Sequence, residues 1–267
     1  MNPSLPLARS VRRVRHPLKV RRLAVRRTER LSPGLLRVTL AGPELDGFSS
    51  ASFDDHFKLV LPGADGELRL PALPLSGDAL LPPMRDYTPR RHDAAAGELD
   101  IDFVLHGDGP AAAWAARAEP GQEVGVGGPR GSFVVPMDFD WHLLAGDATA
   151  MPAIARRLSE LPAGTQAVVL LAVAAADRLP LPSAARVTLH WLDAETSLAE
   201  TLRAMQLPMG TGYAWAAGEA SAMAALRTAI LERVPREMQR VAAYWKRGSA
   251  GHHQDLDDTR PTVSAGG

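Results

Sequence analysis

The patterning of this 267-residue chain changes near Trp141, and that change restricts its fold more than any other feature. Before it, short runs such as Leu35-Leu36-Arg37-Val38-Thr39-Leu40, Phe57-Lys58-Leu59-Val60-Leu61 and Glu123–Val126 are separated by Gly, Pro and Asp. Many short strands joined by turns predict an antiparallel Greek-key β-barrel. The run from Glu98 to Leu105 alternates at period two, which predicts a half-buried strand. From Trp141 onward, apolar strands (Trp141–Ala145, Ala167–Val173, Val187–Leu192, Tyr213–Ala217, Arg240–Trp245) alternate with amphipathic helices (roughly Ala150–Leu161, Ser197–Met205, Ala220–Val234). That alternation predicts an α/β domain with a parallel sheet. The expectation is a basic flexible leader at 1–17, a barrel domain at 18–136, an α/β domain at 137–248 and a loose tail at 249–267, with Pro136-Met137-Asp138 at the boundary.

Thirty basic and thirty acidic residues balance, so no net field favours nucleic acid or membrane. The charge is uneven, however: ten Lys or Arg fall between Arg9 and Arg30, opposed only by Glu29. This segment reads as a solvated leader followed by the polar face of a first strand. The absence of cysteine removes disulfides, iron–sulfur ligation and thiol nucleophiles, and it fits a reducing compartment. No apolar run approaches the ~20 residues of a membrane helix, and the basic N-terminus lacks a secretory apolar core. A cytoplasmic protein without membrane insertion is expected.

One segment carries the chemistry. Arg85-Asp86-Tyr87-Thr88-Pro89-Arg90 is expected on a strand and sets two guanidinium groups around an aromatic ring and a hydroxyl. Guanidinium forks match phosphate oxygens, a tyrosine ring lies against a flat heterocycle, and a threonine hydroxyl both donates and accepts. His106-Gly107-Asp108-Gly109-Pro110-Ala111-Ala112 follows a strand and opens a helix containing Trp114. Its glycines admit close approach, and helix-start amides attract phosphate, although Gly-Pro before a helix is also ordinary capping. Gly127-Gly128-Pro129-Arg130-Gly131-Ser132-Phe133 reads as a tight turn with an exposed cation. Gly146-Asp147-Ala148-Thr149-Ala150-Met151-Pro152-Ala153 follows the first α/β strand, where open sheets bind ligands; a plain βα loop with Thr149 as helix cap fits equally. Gly218-Glu219 repeats the arrangement.

In this order, R-x-Y-T-x-R, F-V-L-H-G-x-G-P-A-x-x-W, G-P-R-G-S, G-D-x-T-A-x-P-A-I-A-R-R, A-G-E and Y-W-x-R-G resemble the siderophore-interacting protein family, flavin-dependent ferric-siderophore reductases of the ferredoxin-reductase-like superfamily. The resemblance runs from about Arg22 to Gly248. It implies an FAD-binding barrel and a domain for NADPH or NADH. It also implies that Arg85 and Tyr87 hold the phosphoribityl part of the flavin, that Thr88 lies near a flavin ring nitrogen, and that Arg90 supports that strand or the pyrophosphate. His106, Gly107, Gly109, Ala111 and Trp114 would wrap the pyrophosphate and adenine; Asp147, Thr149, Ala150 and Glu219 would approach the nicotinamide. The family's usual glutamate in G-D-E-T-A is Ala148 here.

The implied chemistry converts a hydride into single electrons for Fe(III), which flavin can do. Reduction to the softer Fe(II) weakens the hold of oxygen ligands, so release follows. No protein general base is required. A cationic pocket suits an anionic ferric siderophore, and Lys58, Arg130, Lys246 and Arg247 are the candidates. Trp245 reads either as a lid over the flavin or as the end of the last strand. Arg156, Arg157 and Arg178 are candidates for a 2′-phosphate. His142 and His190 read as packed, His56 with Asp54 and Asp55 as an exposed turn, and His252-His253 as solvated tail. Two rival readings are a flavin and iron-chelate carrier reduced by an external donor such as ferredoxin, and a reductase with another acceptor. Nucleic-acid binding through the arginine-rich start is a third and weaker reading.

Overall fold

Arginine-rich and acid-rich strands meet in the N-terminal half, and their pairing shapes it. The computed structural model of the chain describes residues 9–73, 82–105, 109–249 and 254–256. The expected site residues His106 and Gly107 lie outside these, as do His252 and His253. The strands of the first half are β1 (Arg12–Arg15), β2 (Val20–Ser32), β3 (Leu35–Ala41), β4 (Phe57–Val60), β5 (Met84–Tyr87), β6 (Arg91–Asp93) and β7 (Glu98–Val104). The short helix α1 (Pro110–Ala115) precedes β8 (Glu123–Gly127) and β9 (Gly131–Val134). Seven of these strands form one antiparallel sheet in the order β5-β4-β8-β2-β3-β7-β6, around a core that includes Leu23, Val38, Phe57, Leu59, Ile101 and Phe103.

Two expectations for this half need correction. The alternating β7 run is not half buried: Glu98 through Phe103 are all buried. Its polar face lies under β2, β3 and β6, where Arg27 grips Glu98 (2.5 and 2.9 Å), Arg37 grips Asp102 (2.7 and 2.9 Å), and Arg91 and Thr39 donate to Asp100 (2.7 Å each). Pairing with hydrogen-bonded cations is what permits carboxylates to leave water. The basic segment is also no loose leader from Arg9 onward. β1 pairs with β9 across Arg12↔Val134 to Arg15↔Gly131, and Arg9 holds Asp140 at 3.0 Å while lying over Phe139. β9 occupies part of the stretch expected to be only a turn.

The second half contains β10 (Trp141–Asp147), α2 (Met151–Glu160), β11 (Gln166–Ala172), β12 (Arg186–Leu192), α3 (Leu198–Ala204), β13 (Gly212–Glu219), α4 (Ala220–Leu231), β14 (Gln239–Trp245) and β15 (Gln254–Asp255). The sheet order is β12-β11-β10-β13-β14-β15, parallel except for β15, which pairs antiparallel with β14. The expected loose tail therefore adds a short edge strand, and Leu256 packs on the core beneath it. Apolar clusters line both faces of the sheet, as burial between covering layers requires. The strand order reverses between β10 and β13, so their C-terminal ends border the crevice where open α/β sheets take ligands.

The halves are tied together by the loop before β4. Phe53 inserts into the second core, edge-on to Trp215 at 5.4 Å, with the Arg157 guanidinium 5.0 Å from its ring. The turn expected beside His56 is present and His56 is exposed, but Asp54 and Asp55 are 6% and 3% exposed, so the expected exposure fails for the two carboxylates. Asp54 accepts from Arg240 of β14, and Asp55 accepts from Ser50, Ser52 and Ser132.

Candidate functional site

The segment Arg85–Arg90 leaves the barrel where the α/β domain begins to cover it. Only residues up to Tyr87 belong to β5; Thr88, Pro89 and Arg90 form the connection to β6 rather than continuing the strand. Arg156 of α2 reaches this connection from the second half: it donates to the Pro89 carbonyl at 2.9 Å and to Ser50. The arginine-bearing segment thus meets the helix that follows the first parallel strand.

Within the segment the groups differ in their partners. Arg85 is half-buried, and among the described residues its guanidinium donates only to the adjacent Met84 carbonyl at 2.7 Å. Tyr87 lies 4.4 Å from the Phe103 ring, which lies 5.7 Å from Trp114. Burial pushes the Tyr87 phenol well above its ordinary range. Thr88 is buried. Arg90 sits 3.8 Å from Asp102, its Nε is buried without a hydrogen-bond acceptor among the described residues, and burial lowers its pKa despite Asp102. An uncompensated guanidinium and an orphaned N–H beside an aromatic surface are what an anionic, ring-bearing ligand would satisfy. The residues present fit FAD on that ground.

Around the expected helix start, Gly109 occupies the N-cap position of α1 and is exposed. Ala111 is 5% exposed and packs into the barrel core, so its side chain serves packing there. Trp114 is half-buried against Phe103.

At the crevice, Asp147 is a junction. Its Oδ1 accepts from the Thr149 amide and hydroxyl at 2.8 and 2.5 Å, and its Oδ2 accepts from the Glu219 amide at 2.9 Å and the Trp245 indole at 2.8 Å. One carboxylate thereby joins the ends of three parallel strands. The glycines beside it allow this closeness: a Cβ on Gly146 would meet the Ala217 carbonyl at 2.2 Å, and one on Gly218 (φ 154°) would meet Asp147 at 2.6 Å. Glu219 caps α4, accepting from Ser221 and Ala222 and, more distantly, from the Arg247 amide; these donors hold its carboxyl at about 2. Thr149 is not the helix cap that its position suggests. Ala150 takes the N-cap position without a side-chain bond and is fully buried, leaving its backbone as its means of contact. Trp245 is the end of a strand, as one of its two readings held, with its indole fixed by Asp147.

The four candidate substrate cations differ. Lys58 is paired with Asp86 at 2.8 Å, and the register places both out of phase with Arg85 and Tyr87, on the other face of the strands. Arg130 is exposed between β8 and β9, while Lys246 and Arg247 are exposed just past Trp245 at the crevice. Of the three 2′-phosphate candidates, Arg156 is engaged across the domain seam, and Arg157 is 2% exposed, donating to the Val135 and Pro136 carbonyls. Arg178 pairs with Asp193 beyond the ends of β11 and β12. His142 is buried, and desolvation lowers it to about 4. Sequence reading gave no role to Tyr244 or Asp54; the only signal for Tyr244 was its place in Y-W-x-R-G.

The family model described as the siderophore-interacting FAD-binding domain matches residues 24–133, and the one described as siderophore-interacting protein matches residues 139–248. The NADPH-dependent ferric-chelate reductase of Escherichia coli K12 is 39% identical over 245 residues, covering 87% of this chain and 95% of that protein. The ferric vibriobactin reductase ViuB of Vibrio cholerae is 36% identical, covering 83% and 88%. The crystal structure of a siderophore utilization protein from T. fusca superposes with a TM-score of 0.82 at 38% identity, covering 91% of this chain and 98% of that one.

Proposed function

Because this chain belongs to the siderophore-interacting protein family, we propose that it is an NAD(P)H-dependent, FAD-containing reductase of ferric siderophores. The observation that carries the reading is the meeting of Pro89 with Arg156, which sets the phosphate-matching segment against the helix that leaves the crevice end of β10. The nearly full-length similarity to two named ferric-chelate reductases supports the same reaction. When bound, FAD would take a hydride from NADPH or NADH and pass electrons singly to Fe(III).

The protein's own residues do the holding. Arg85 meets the phosphate side, Tyr87 offers its ring beside Phe103 and Trp114, and Arg90 supplies a second half-buried cation. Gly109 and the backbone of Ala111 complete the pyrophosphate side, with His106 and Gly107, which lie outside the described residues, assigned there by the family resemblance alone. Asp147 holds Thr149, Glu219 and Trp245 in register, so the crevice floor facing the nicotinamide is rigid. Lys246 and Arg247, with Arg130, present the positive charge that draws an anionic chelate. Lys58 contributes less while it remains paired with Asp86.

The purified protein should show flavin absorbance or take up added FAD, and NADPH should bleach it anaerobically, with colour returning on addition of a ferric siderophore. A protein that refuses FAD would overturn the reading. FAD that neither nicotinamide bleaches would favour an external donor such as ferredoxin, a reading consistent with the side chains of Asp147 and Glu219 being engaged internally.

A further inference from the structure

Cations that no carboxylate neutralises collect around the turn between β8 and β9. On β2, Arg22 and Arg27 face solvent but are closed onto Glu123 at 2.6 Å and Glu98 at 2.5 Å. Around the turn that pairing stops. The Gly128 amide donates to the Lys19 carbonyl at 3.0 Å, and the His16 amide donates to the Arg130 carbonyl at 3.0 Å. Arg15 lies opposite Gly131 in the β1–β9 register, and residues opposite one another share a face, so no side chain there covers it. Arg15, Lys19 and Arg130 are exposed, and among the described residues none of their side chains meets a carboxylate. On the buried side of the turn, Arg21 is 4% exposed and donates to the Gly128 and Gly47 carbonyls at 3.3 and 3.0 Å. Its Nε has no acceptor among the described residues. The turn also lies level with the flavin segment. β4 pairs Lys58 with Gly127 on one side and Phe57 with Tyr87 on the other. The chain therefore leaves β8 about 10 Å, two strand spacings, from the end of β5 that carries Tyr87.

We propose that Arg15 and Lys19, both from the arginine-rich N-terminal segment, join Arg130 in a cationic site that selects anionic ferric chelates beside the flavin. This rests on the reading that the chain holds FAD and reduces ferric chelates. Unpaired charges gathered on one turn attract a multiply charged anion more strongly than any one of them does, and the buried Arg21 adds to the same potential. The turn is already fixed by its bonds to Lys19 and His16, and Ser132 just beyond it donates to the buried Asp55 at 2.7 Å. The cations are thus presented without the cost of ordering a loop. Lys58 borders the same turn but is held by Asp86 and contributes less. The cluster spans a single turn, far less than the ~800 Å² that a stable protein partner covers, which favours a small chelate as its occupant.

The test is steady-state reduction of an anionic ferric tris-catecholate and a neutral ferric trihydroxamate by the FAD-loaded protein. Wild type is compared with Arg15→Glu, Lys19→Glu and the double variant, and flavin bleaching by NADPH checks that each flavin site is native. The double variant should raise the KM for the tris-catecholate on the order of tenfold, with the KM for the trihydroxamate and both kcat values retained. Arg15→Lys with Lys19→Arg keeps the charges and should hold the wild-type KM. Added salt should raise the KM for the tris-catecholate in wild type and much less in the double variant. Should charge reversal disturb folding, Arg15→Gln with Lys19→Gln removes the charges more gently, and a several-fold rise is then expected. An unchanged KM for the tris-catecholate in folded variants, or an equal rise for the neutral chelate, overturns the proposal. So does a loss confined to electron delivery from an added reduced ferredoxin. A wild-type protein that binds FAD yet reduces neither chelate overturns the functional reading instead.

Discussion

Two arginine-rich regions lie within the barrel and use the same side chain for opposite ends. On β2, β3 and β6, Arg27, Arg37 and Arg91 are each closed onto carboxylates of β7. On β5, Arg85 is half-buried, yet among the described residues its guanidinium donates only to a neighbouring carbonyl. The first set is neutralised internally and lets an acidic strand run through the sheet with both faces covered. The second retains its charge, as a guanidinium available to an external anion does. A cation's partners, more than its burial, distinguish structural from binding roles here.

The sharpest way to break this comparison is Arg85→Ala. Loss of a charge-assisted contact to phosphate is worth ~1.5–3 kcal/mol, roughly a ten- to hundredfold rise in the FAD Kd, with little change in apo-protein Tm. Fluorescence titration would measure it, and unaltered FAD affinity would make Arg85 ordinary surface charge. Arg37→Met should do the reverse. It strands the 9%-exposed Asp102 and should lower unfolding free energy by about 2 kcal/mol in urea titration, while weakening FAD less than Arg85→Ala does.

Acid sharpens the contrast further. Arg27 holds the Glu98 carboxyl at about 2, below the 4.5 of the free side chain. The folded state therefore binds this proton later than the unfolded one: the contribution is complete above pH 4.5 and is lost as pH falls toward 2. Glu98→Gln should flatten the stability profile in that window, as followed by circular dichroism. The smallest expected effect is at the crevice rim, where Arg247→Glu should raise the KM for anionic ferric chelates several-fold and Arg130→Glu by less. Steady-state kinetics with a neutral chelate as control would show whether charge is the cause.

Much of the architecture was legible because periodicity reports which faces are covered. The change near Trp141 located the parallel sheet, and the G-D and A-G-E pairs fell at the ends of β10 and β13. Where the reading failed, the missing information was a distant partner. The run from Glu98 to Asp102 looked half-exposed because nothing local reveals that Arg27, Arg37 and Arg91 cover its polar side. Asp54 and Asp55 looked exposed because donors to them lie 77 and 186 residues away, in Ser132 and Arg240, as well as close by in Ser50 and Ser52. Arg156 and Arg157 looked available to a nucleotide because a guanidinium's use is decided by whichever carbonyls fold against it.

Local order of residues alone determined the two-part fold, the phosphate-matching side chains of Arg85–Arg90 and the glycines that admit close backbone approach. Each of these follows from side-chain period or backbone freedom, which neighbours in the chain establish. Tertiary structure alone decided which charges are neutralised and that Asp147 joins three strand ends. Charge compensation depends on groups that folding brings together from separate strands, so the stretch that holds one partner does not reveal the other.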